Sequence, residues 1–332
     1  MENLIKYVNI HNFKSIADLE LEDCRRINLF IGYPNVGKSN VLEALSLFSV
    51  PFLQEGESLN KFIRVQNQNE LFHDINLGSC KVFTNLGFAN FYEDNVLILG
   101  NKSEGDSLKM RFSNDMQVEK NLNSFLHLQK WGDVKKYTFA LGEKLQSYLK
   151  PSFLLPPFGE NIIDTLSHNT NVVEMKAWMQ QEFAKFGLEY VLDKISNHLK
   201  VQRRLNRDEI VQLPYSSIAD TLQRMIFYKT AIASNKNSVL LFEEPEAHAF
   251  PPYIATIMND IVDAESNQFF IVTHSPIVVN AFLEYEKVRS ETSIYLFDFK
   301  NEQTTAKRLS DEEMELAYEY GDDLFFNLEN LL

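Results

Sequence analysis

Eight consecutive residues, Gly32-Tyr33-Pro34-Asn35-Val36-Gly37-Lys38-Ser39, constrain the fold more than any other part of the chain. They follow the pattern G-x-x-x-x-G-K-[ST], a loop with glycine near each end, then lysine, then a hydroxyl. Glycine lets a backbone wrap an anion with its N–H groups pointing inward. Arg26 to Ile31, just ahead, is a short apolar run of the kind that makes a buried strand. Just behind, Val41, Leu42, Leu45 and Phe48 fall at helical spacing. Strand, loop and helix in that order bring the positive end of a helix dipole to the loop. Chance produces such a pattern in roughly 1% of chains of this length and ordinary composition. Lys38 suits the β- and γ-phosphates of a nucleoside triphosphate, and Ser39 suits Mg²⁺.

Two later strand ends carry compatible chemistry. Val239-Leu240-Leu241-Phe242-Glu243-Glu244 is an apolar run ending in paired acids. A strand of this kind is expected beside the phosphate-loop strand. Its first acid then faces a metal and its second aligns or deprotonates a water. Glu243 therefore reads as a Mg²⁺ ligand, mainly through water, and Glu244 as the general base. Aspartate is commoner at the first position, and the extra methylene of Glu243 changes its reach. Pro245 stiffens the following turn, and His248 either faces a partner subunit or sits on a helix end. Phe269-Phe270-Ile271-Val272-Thr273-His274-Ser275 is a second apolar run, far enough downstream to leave room for one helix. A histidine at its end suits contact with a terminal phosphate.

The rest of the chain sets the frame. Ile5 to Phe13 and Leu19 to Leu21 read as strands, and residues 81–113 as β-hairpins with turn chemistry at Asn101 to Gly105. The spacing predicts helix from Val172 to Leu199, with a possible break at Gly187, and an amphipathic helix from Ser217 to Ala233. Pro252 to Val262 reads as a further helix and Ile294 to Phe299 as a strand. Apolar runs without alternation suit parallel strands covered on both faces. No heptads are sustained, so a long coiled-coil arm is not expected.

Composition excludes several classes. A net charge of −14 argues against non-specific coating of nucleic acid. The acid concentrates in Asp311-Glu312-Glu313 and Asp322-Asp323, and Arg203-Arg204 with Arg207 form one basic cluster, read as a solvated loop. Cys24 and Cys80 are too few for a disulfide framework or a cysteine metal site and fit a reducing cytosol. There is no signal-peptide pattern and no apolar stretch of about 18 residues, so a cytoplasmic protein without a membrane segment is expected.

Taken in order, the three motifs resemble the ATP-binding cassette ATPases of the non-transporter branch. That branch includes RecF-type repair ATPases, chromosome-maintenance ATPases and the overcoming-lysogenization-defect family. Ile10-His11-Asn12-Phe13-Lys14-Ser15-Ile16 resembles their opening strand, and Gly37-Lys38-Ser39-Asn40 their loop ending. Glu243-Glu244-Pro245-Glu246-Ala247-His248 and Thr273-His274-Ser275-Pro276 resemble the last of those families more than transporters. The resemblance covers about residues 1–50 and 210–300.

It implies an α/β fold with an N-terminal β-rich lobe, a mostly parallel core sheet flanked by helices, and an inserted, partly helical subdomain. Residues 1–84 are then the first half of the ATPase domain, 85–205 the insertion and 206–332 the second half. It implies binding of ATP and Mg²⁺ by Gly32, Asn35, Val36, Gly37, Lys38, Ser39 and Asn40, and a catalytic set of Lys38, Glu244 and His274. Ser217, in Ser216-Ser217-Ile218-Ala219-Asp220-Thr221 at a helix start, is the candidate signature residue that touches nucleotide on a second copy. Here Ala219-Asp220 replaces the usual glycine pair. Gln66 or Gln68 is the candidate glutamine loop. The stretch after Pro276 is too short for the nuclease domain of that family. The resemblance thus implies a homodimeric ATPase subunit gating a separate nuclease or toxin in anti-phage defence. The alternative is a repair or chromosome-organising ATPase that binds double-stranded DNA.

Overall fold

The computed structural model describes residues 4–101, 106–120, 133–140, 151–193, 195–196, 198–319, 324–325 and 327–332. Most of the turn expected at Asn101 to Gly105, and the acids Asp322-Asp323, lie outside them. Along the chain, strands β1 (Val8–Phe13), β2 (Ile16–Leu21) and β3 (Ile27–Gly32) lead into helix α1 (Lys38–Leu45). Strands β4 (Ser79–Thr84), β5 (Gly87–Tyr92), β6 (Val96–Asn101), β7 (Ser107–Phe112), β8 (Val118–Lys120) and β9 (Val134–Tyr137) follow. Then come helices α2 (Ile162–His168) and α3 (Val173–Ala184), strands β10 (Glu189–Asp193), β11 (His198–Arg204) and β12 (Ile210–Pro214), and helix α4 (Asp220–Ser234). The last third alternates: β13 (Val239–Glu243), α5 (Pro251–Asp263), β14 (Gln268–Val272), α6 (Pro276–Leu283), α7 (Glu286–Ser290), β15 (Thr292–Lys300), β16 (Gln303–Arg308) and α8 (Asp311–Glu319).

The described residues divide into two compact units. The first comprises Met1–Lys136, Asn237–Glu244 and Glu265–Leu332; the second comprises Tyr137–Lys236 and Pro245–Ala264. These units do not follow the expected segments 1–84, 85–205 and 206–332. The hairpins after residue 84 are not an insertion of their own, because β4 pairs with β1 and carries the N-terminal sheet onward. The result is an antiparallel sheet in the order β2-β1-β4-β5-β6-β7-β8. Its strands alternate buried and exposed side chains, as in β7, so one face packs and the other does not.

The other sheet of the first unit has the order β16-β15-β3-β14-β13-β9, with β15, β3, β14 and β13 mutually parallel. This is the expected mostly parallel core. Every residue of β3 and β14 is buried, which explains why those runs lack alternation. Phe30 packs edge-on against Phe297, with ring centres 5.0 Å apart, and against Tyr295 at 5.7 Å. α1 buries Ala44 together with Val41, Leu42 and Leu45, and each of the last three contributes about 1.5–3 kcal/mol.

In the second unit the helix expected from Val172 to Leu199 stops at Ala184. Gly187 takes φ +67, and Leu188 N–H bonds back to Phe183 O, closing the helix. Beyond it Glu189–Asp193 pairs antiparallel with β11. The apolar residues Leu188, Tyr190 and Leu192 have period 2, but with Val191 and Leu199 they also satisfy a helical template. The core joins Leu166, Met179, Phe183, Val201, Leu222 and Ile226. The basic cluster is exposed, as expected, but only Arg207 lies in a loop: Arg203 and Arg204 end β11, paired with Val211 and Ile210 of β12.

Lys135 of β9 is buried, and its Nζ donates to Ser238 Oγ at 2.7 Å. Desolvation pushes its ammonium down to about 8, against the pull of Asp133. The unfolded chain, with the ordinary value of 10.5, binds that proton more tightly. Stability therefore rises as pH climbs from about 8 toward 10.5. Urea midpoints measured at about pH 7 and pH 9.5 should rise more in the parent than in Lys135→Met. Equal pH dependence in the two proteins would contradict this.

Candidate functional site

The phosphate loop is wedged between two neighbours. At Gly32, the last residue of β3, a Cβ would lie 2.5 Å from the Phe297 carbonyl oxygen of β15. At Gly37, with φ +98, a Cβ would lie 2.0 Å from Thr304 Oγ1 and 2.7 Å from Ser15 Oγ. Those two hydroxyls are 2.6 Å apart, and Thr304 N–H donates to Ser15 O at 2.8 Å. Asn40 Nδ2 donates to Ser15 Oγ at 2.7 Å, so Asn40 supports the loop from behind. Asn35 takes φ +64 and is exposed; Val36 is buried.

Lys38 is buried, and its Nζ donates to Gly32 O at 2.8 Å and Tyr33 O at 2.7 Å. Desolvation lowers its ammonium to about 8, and Glu244 opposes the shift. An ammonium held on carbonyls by its own loop has donors ready for phosphate oxygens. Ser39 is half-buried in the first turn of α1.

The three motif-bearing strands end side by side. Order β3-β14-β13 sets the phosphate loop, Thr273-His274 and Glu243-Glu244 at the same, C-terminal edge of parallel strands. One expectation is corrected here: the carboxylate strand is not beside the phosphate-loop strand, because β14 lies between them. β13 reaches β14 through helix α5, whereas most of the chain separates β3 from both, so sequence order does not dictate which slot each takes. Glu244 N–H continues the ladder onto Val272 O at 2.9 Å, and then φ +45 turns the chain. The Glu244 side chain is left 46% exposed, and its Oε1 is 3.6 Å from His274 Nε2. Burial, then Lys38, lowers the His274 pKa against the pull of Glu244, so the imidazole is neutral near pH 7.

Sequence reasoning missed Arg64. Gln66 is exposed, with its N–H on Glu70, and Gln68 opens a short 3₁₀ turn. The loop meets the carboxylate strand instead through Arg64, whose Nη2 is 3.4 Å from Glu243 Oε1. Its Nε donates to Glu43 Oε1 at 2.6 Å. Glu43 is fully buried on α1 and also accepts from Lys14 Nζ. Burial pushes its carboxyl up, but Lys136, Lys14 and Arg64 together outweigh this and hold it below the ordinary value. The signal was present: an acid inside Val41-Leu42-Glu43-Ala44-Leu45 needs a cation.

Ser217 does not open the helix. It is exposed in a 3₁₀ turn (Tyr215–Ser217), and α4 starts at Asp220 behind Ala219, with no side-chain cap. It belongs to the second unit, whereas Lys38, Ser39, Glu243, Glu244 and His274 belong to the first. Thr221 Oγ1 donates to His248 O at 2.9 Å; the His248 side chain is exposed and its φ is +58.

Among the described residues no cluster of three or more His, Cys, Asp or Glu could cage a metal. A Mg²⁺ that binds with a triphosphate needs none: one hydroxyl, one acid, waters and phosphate oxygens suffice. Ser39, on the first turn of α1, and Glu243, at the end of β13, are a hydroxyl and an acid of the kind such a set takes. No described helix is long and apolar enough to cross a membrane.

The protein family described as "AAA domain, putative AbiEii toxin, Type IV TA system" matches residues 111–280, just over half of the chain. That span includes Ser217, Glu243, Glu244 and His274. Uncharacterized protein MJECL10 of Methanocaldococcus jannaschii is 29% identical over 119 residues, 36% of this chain and 52% of that protein. Protein ea59 of Escherichia phage lambda is 31% identical over 90 residues, 24% of this chain and 17% of that protein. The chain thus spans about half the length of the first relative and less of the second. Among solved structures, a Pyrococcus furiosus Smc head domain bound to the C-terminal domain of ScpA is 11% identical, with a TM-score of 0.49. That alignment covers 96% of this chain and 99% of the Smc chain. At this score the likeness is loose, and the fold assignment rests on strand order and the phosphate loop.

Proposed function

Because the chain belongs to the AAA domain family that carries the description putative AbiEii toxin of a type IV toxin–antitoxin system, we propose that it is an ATP-dependent switch. It binds ATP and Mg²⁺ and hydrolyses the γ-phosphate bond in the manner of cassette ATPases of the overcoming-lysogenization-defect type. The observation that carries this reading is the shared edge of β3, β14 and β13. There Lys38 and Glu244 are electrostatically coupled and His274 lies 3.6 Å from Glu244.

Gly32, Asn35, Val36, Gly37 and Lys38 form the phosphate cradle, and Asn40 fixes its rear wall through Ser15. Ser39 and Glu243 hold Mg²⁺, which supplies charge neutralisation on the phosphate oxygens when bound. Lys38 transfers its donors from the Gly32 and Tyr33 carbonyls to the triphosphate. Glu244 orients the attacking water and takes its proton. His274, neutral and beside Glu244, donates toward the terminal phosphate.

Ser217 is exposed and comes from the unit without the phosphate loop, which favours its use on a second copy of the chain. Closure of two copies around ATP, and reopening after hydrolysis, would give two states with different contacts. The toxin–antitoxin description suits a two-component system, and in this reading those states gate a toxin or nuclease supplied by another polypeptide, in a cytoplasmic anti-phage system.

Sedimentation of the unaltered protein with Mg²⁺ and ATP, against ADP, tests this. ATP should double the mass, ADP should not, and Ser217→Arg should keep ATP binding while losing the doubling. A parent that binds ATP and stays monomeric refutes the two-copy site.

A further inference from the structure

Glu243, the acid assigned to Mg²⁺, also belongs to a charge cluster whose cations the proposed chemistry does not use. Lys14, Arg64 and Lys136 face Glu43 and Glu243, and Arg64 also feels the charge of Glu244. The cluster links the end of β1, the phosphate-loop helix, the loop after it, β9 and β13. Lys136 is buried, with its Nζ on Phe62 O at 2.8 Å, so its position is fixed. Lys14 is nearly as enclosed and divides its donors between Glu43 and Arg64 O, the latter at 2.8 Å. Arg64 is the exception, with 64% of its side chain exposed.

The guanidinium is held unequally. Nε meets Glu43 at 2.6 Å, a short charge-assisted bond, whereas Nη2 meets Glu243 only at 3.4 Å. The backbone beneath it is pinned, by Lys14 on its carbonyl and by Val65 N–H on Asn60 Oδ1 at 3.0 Å. A rigid base, a firm bond to Glu43 and a weak one to Glu243 make a side chain that can leave Glu243 without disturbing its loop. Glu243 is also the acid assigned to Mg²⁺ above.

We propose that Arg64 competes with the divalent cation for Glu243 and so sets the Mg²⁺ concentration at which the site takes up ATP. This rests on the nucleotide-site reading. Two like charges cannot share one carboxylate closely, so Mg²⁺ near Glu243 moves the guanidinium back onto Glu43. An exposed pair is worth little in water, so the effect on affinity is modest. The opposite role is equally concrete: an arginine that holds Glu243 in place for the metal would weaken metal binding when removed. The two roles differ in sign.

The experiment is calorimetric titration of ATP into the full chain over a series of Mg²⁺ concentrations. In Arg64→Met the Mg²⁺ concentration for half-maximal binding is expected to fall about threefold. Arg64→Lys, which keeps the charge, should stay near the parent. In a Glu243→Gln background the Arg64→Met shift should vanish, as a double-mutant cycle requires for a direct pair. A shift to higher Mg²⁺, or one that persists without Glu243, overturns the proposal. If Arg64→Met does not fold, the side-chain guanidinium resonances of Arg64 in the unaltered protein decide: they should shift between Mg²⁺ with ATP and ATP with a chelator, and unchanged resonances overturn the proposal. A parent that binds no ATP at any Mg²⁺ concentration removes the nucleotide reading and this one with it. ATP binding with a shift of the wrong sign removes this one alone.

Discussion

Glu244→Gln is expected to lower ATP hydrolysis by at least about a hundredfold while leaving ATP binding intact. The carboxylate stands at the C-terminal edge of β13, turned out of the ladder by φ +45 immediately after its N–H bonds to Val272 O. That turn leaves the side chain half exposed beside His274 and electrostatically coupled to Lys38. Glutamine keeps the shape and one acceptor but takes no proton from a water. A positioned general base contributes about 10²–10⁴ in rate, or about 2.7–5.4 kcal/mol of barrier. Lys38 and the cradle are unchanged, so ATP should bind and persist, and the two-copy form should accumulate with Mg²⁺ and ATP. Steady-state phosphate release together with sedimentation reads both effects. Hydrolysis at the parent rate would place the base elsewhere and leave Glu244 a structural turn residue.

The parts of this site legible in the sequence are those where chemistry demands a residue type at a fixed spacing. Gly32 and Gly37 have no room for a side chain, and Lys38 sets its ammonium on the Gly32 and Tyr33 carbonyls of the same loop. The strand–loop–helix order around them follows from apolar periodicity alone. Paired acids at Glu243-Glu244 and a histidine at His274 each end an apolar run, so their places on strand ends were legible too. What the sequence does not contain is lateral order in a sheet. β14 sits between β3 and β13, and nothing in Phe269 to Val272 announces it. Arg64 was hidden for a related reason: its partners Glu43 and Glu243 lie 21 and 179 positions away. Residues 185–199 misled because Leu188, Tyr190 and Leu192 have period 2 while Leu188, Val191, Leu192 and Leu199 fit a period of 3.6. Hairpins 85–120 read as an insertion because pairing of β4 with β1 spans residues with no periodic signal.

Gly37→Ala is expected to destabilise the first unit by about 2–5 kcal/mol and to abolish tight ATP binding. Two independent costs add. The backbone at φ +98 suits glycine, and a Cβ there costs about 1–2 kcal/mol in conformational strain. The methyl would also stand 2.0 Å from Thr304 Oγ1, 2.9 Å from Thr304 Cγ2 and 2.7 Å from Ser15 Oγ. No such approach survives, and overpacking of this kind costs about 1–3 kcal/mol more. Thr304 cannot simply swing aside. It is fully buried, its N–H is on Ser15 O, and its hydroxyl contacts Ser15 Oγ, which also receives Asn40. The second cost can be separated from the first. Thr304→Ala alone should cost about 1 kcal/mol, the usual value of one lost hydrogen bond. Added to Gly37→Ala, it removes two of the three clashing atoms and should recover part of the stability, while the φ strain and the Ser15 contact remain. Urea unfolding of the four proteins would show a favourable coupling between positions 37 and 304 if the loop is wedged as described. ATP titration should show binding only partly restored in the double variant. A Gly37→Ala protein within about 0.5 kcal/mol of the parent, with ATP affinity unchanged, would mean that the loop yields to the added methyl and that its rear wall does not shape the cradle.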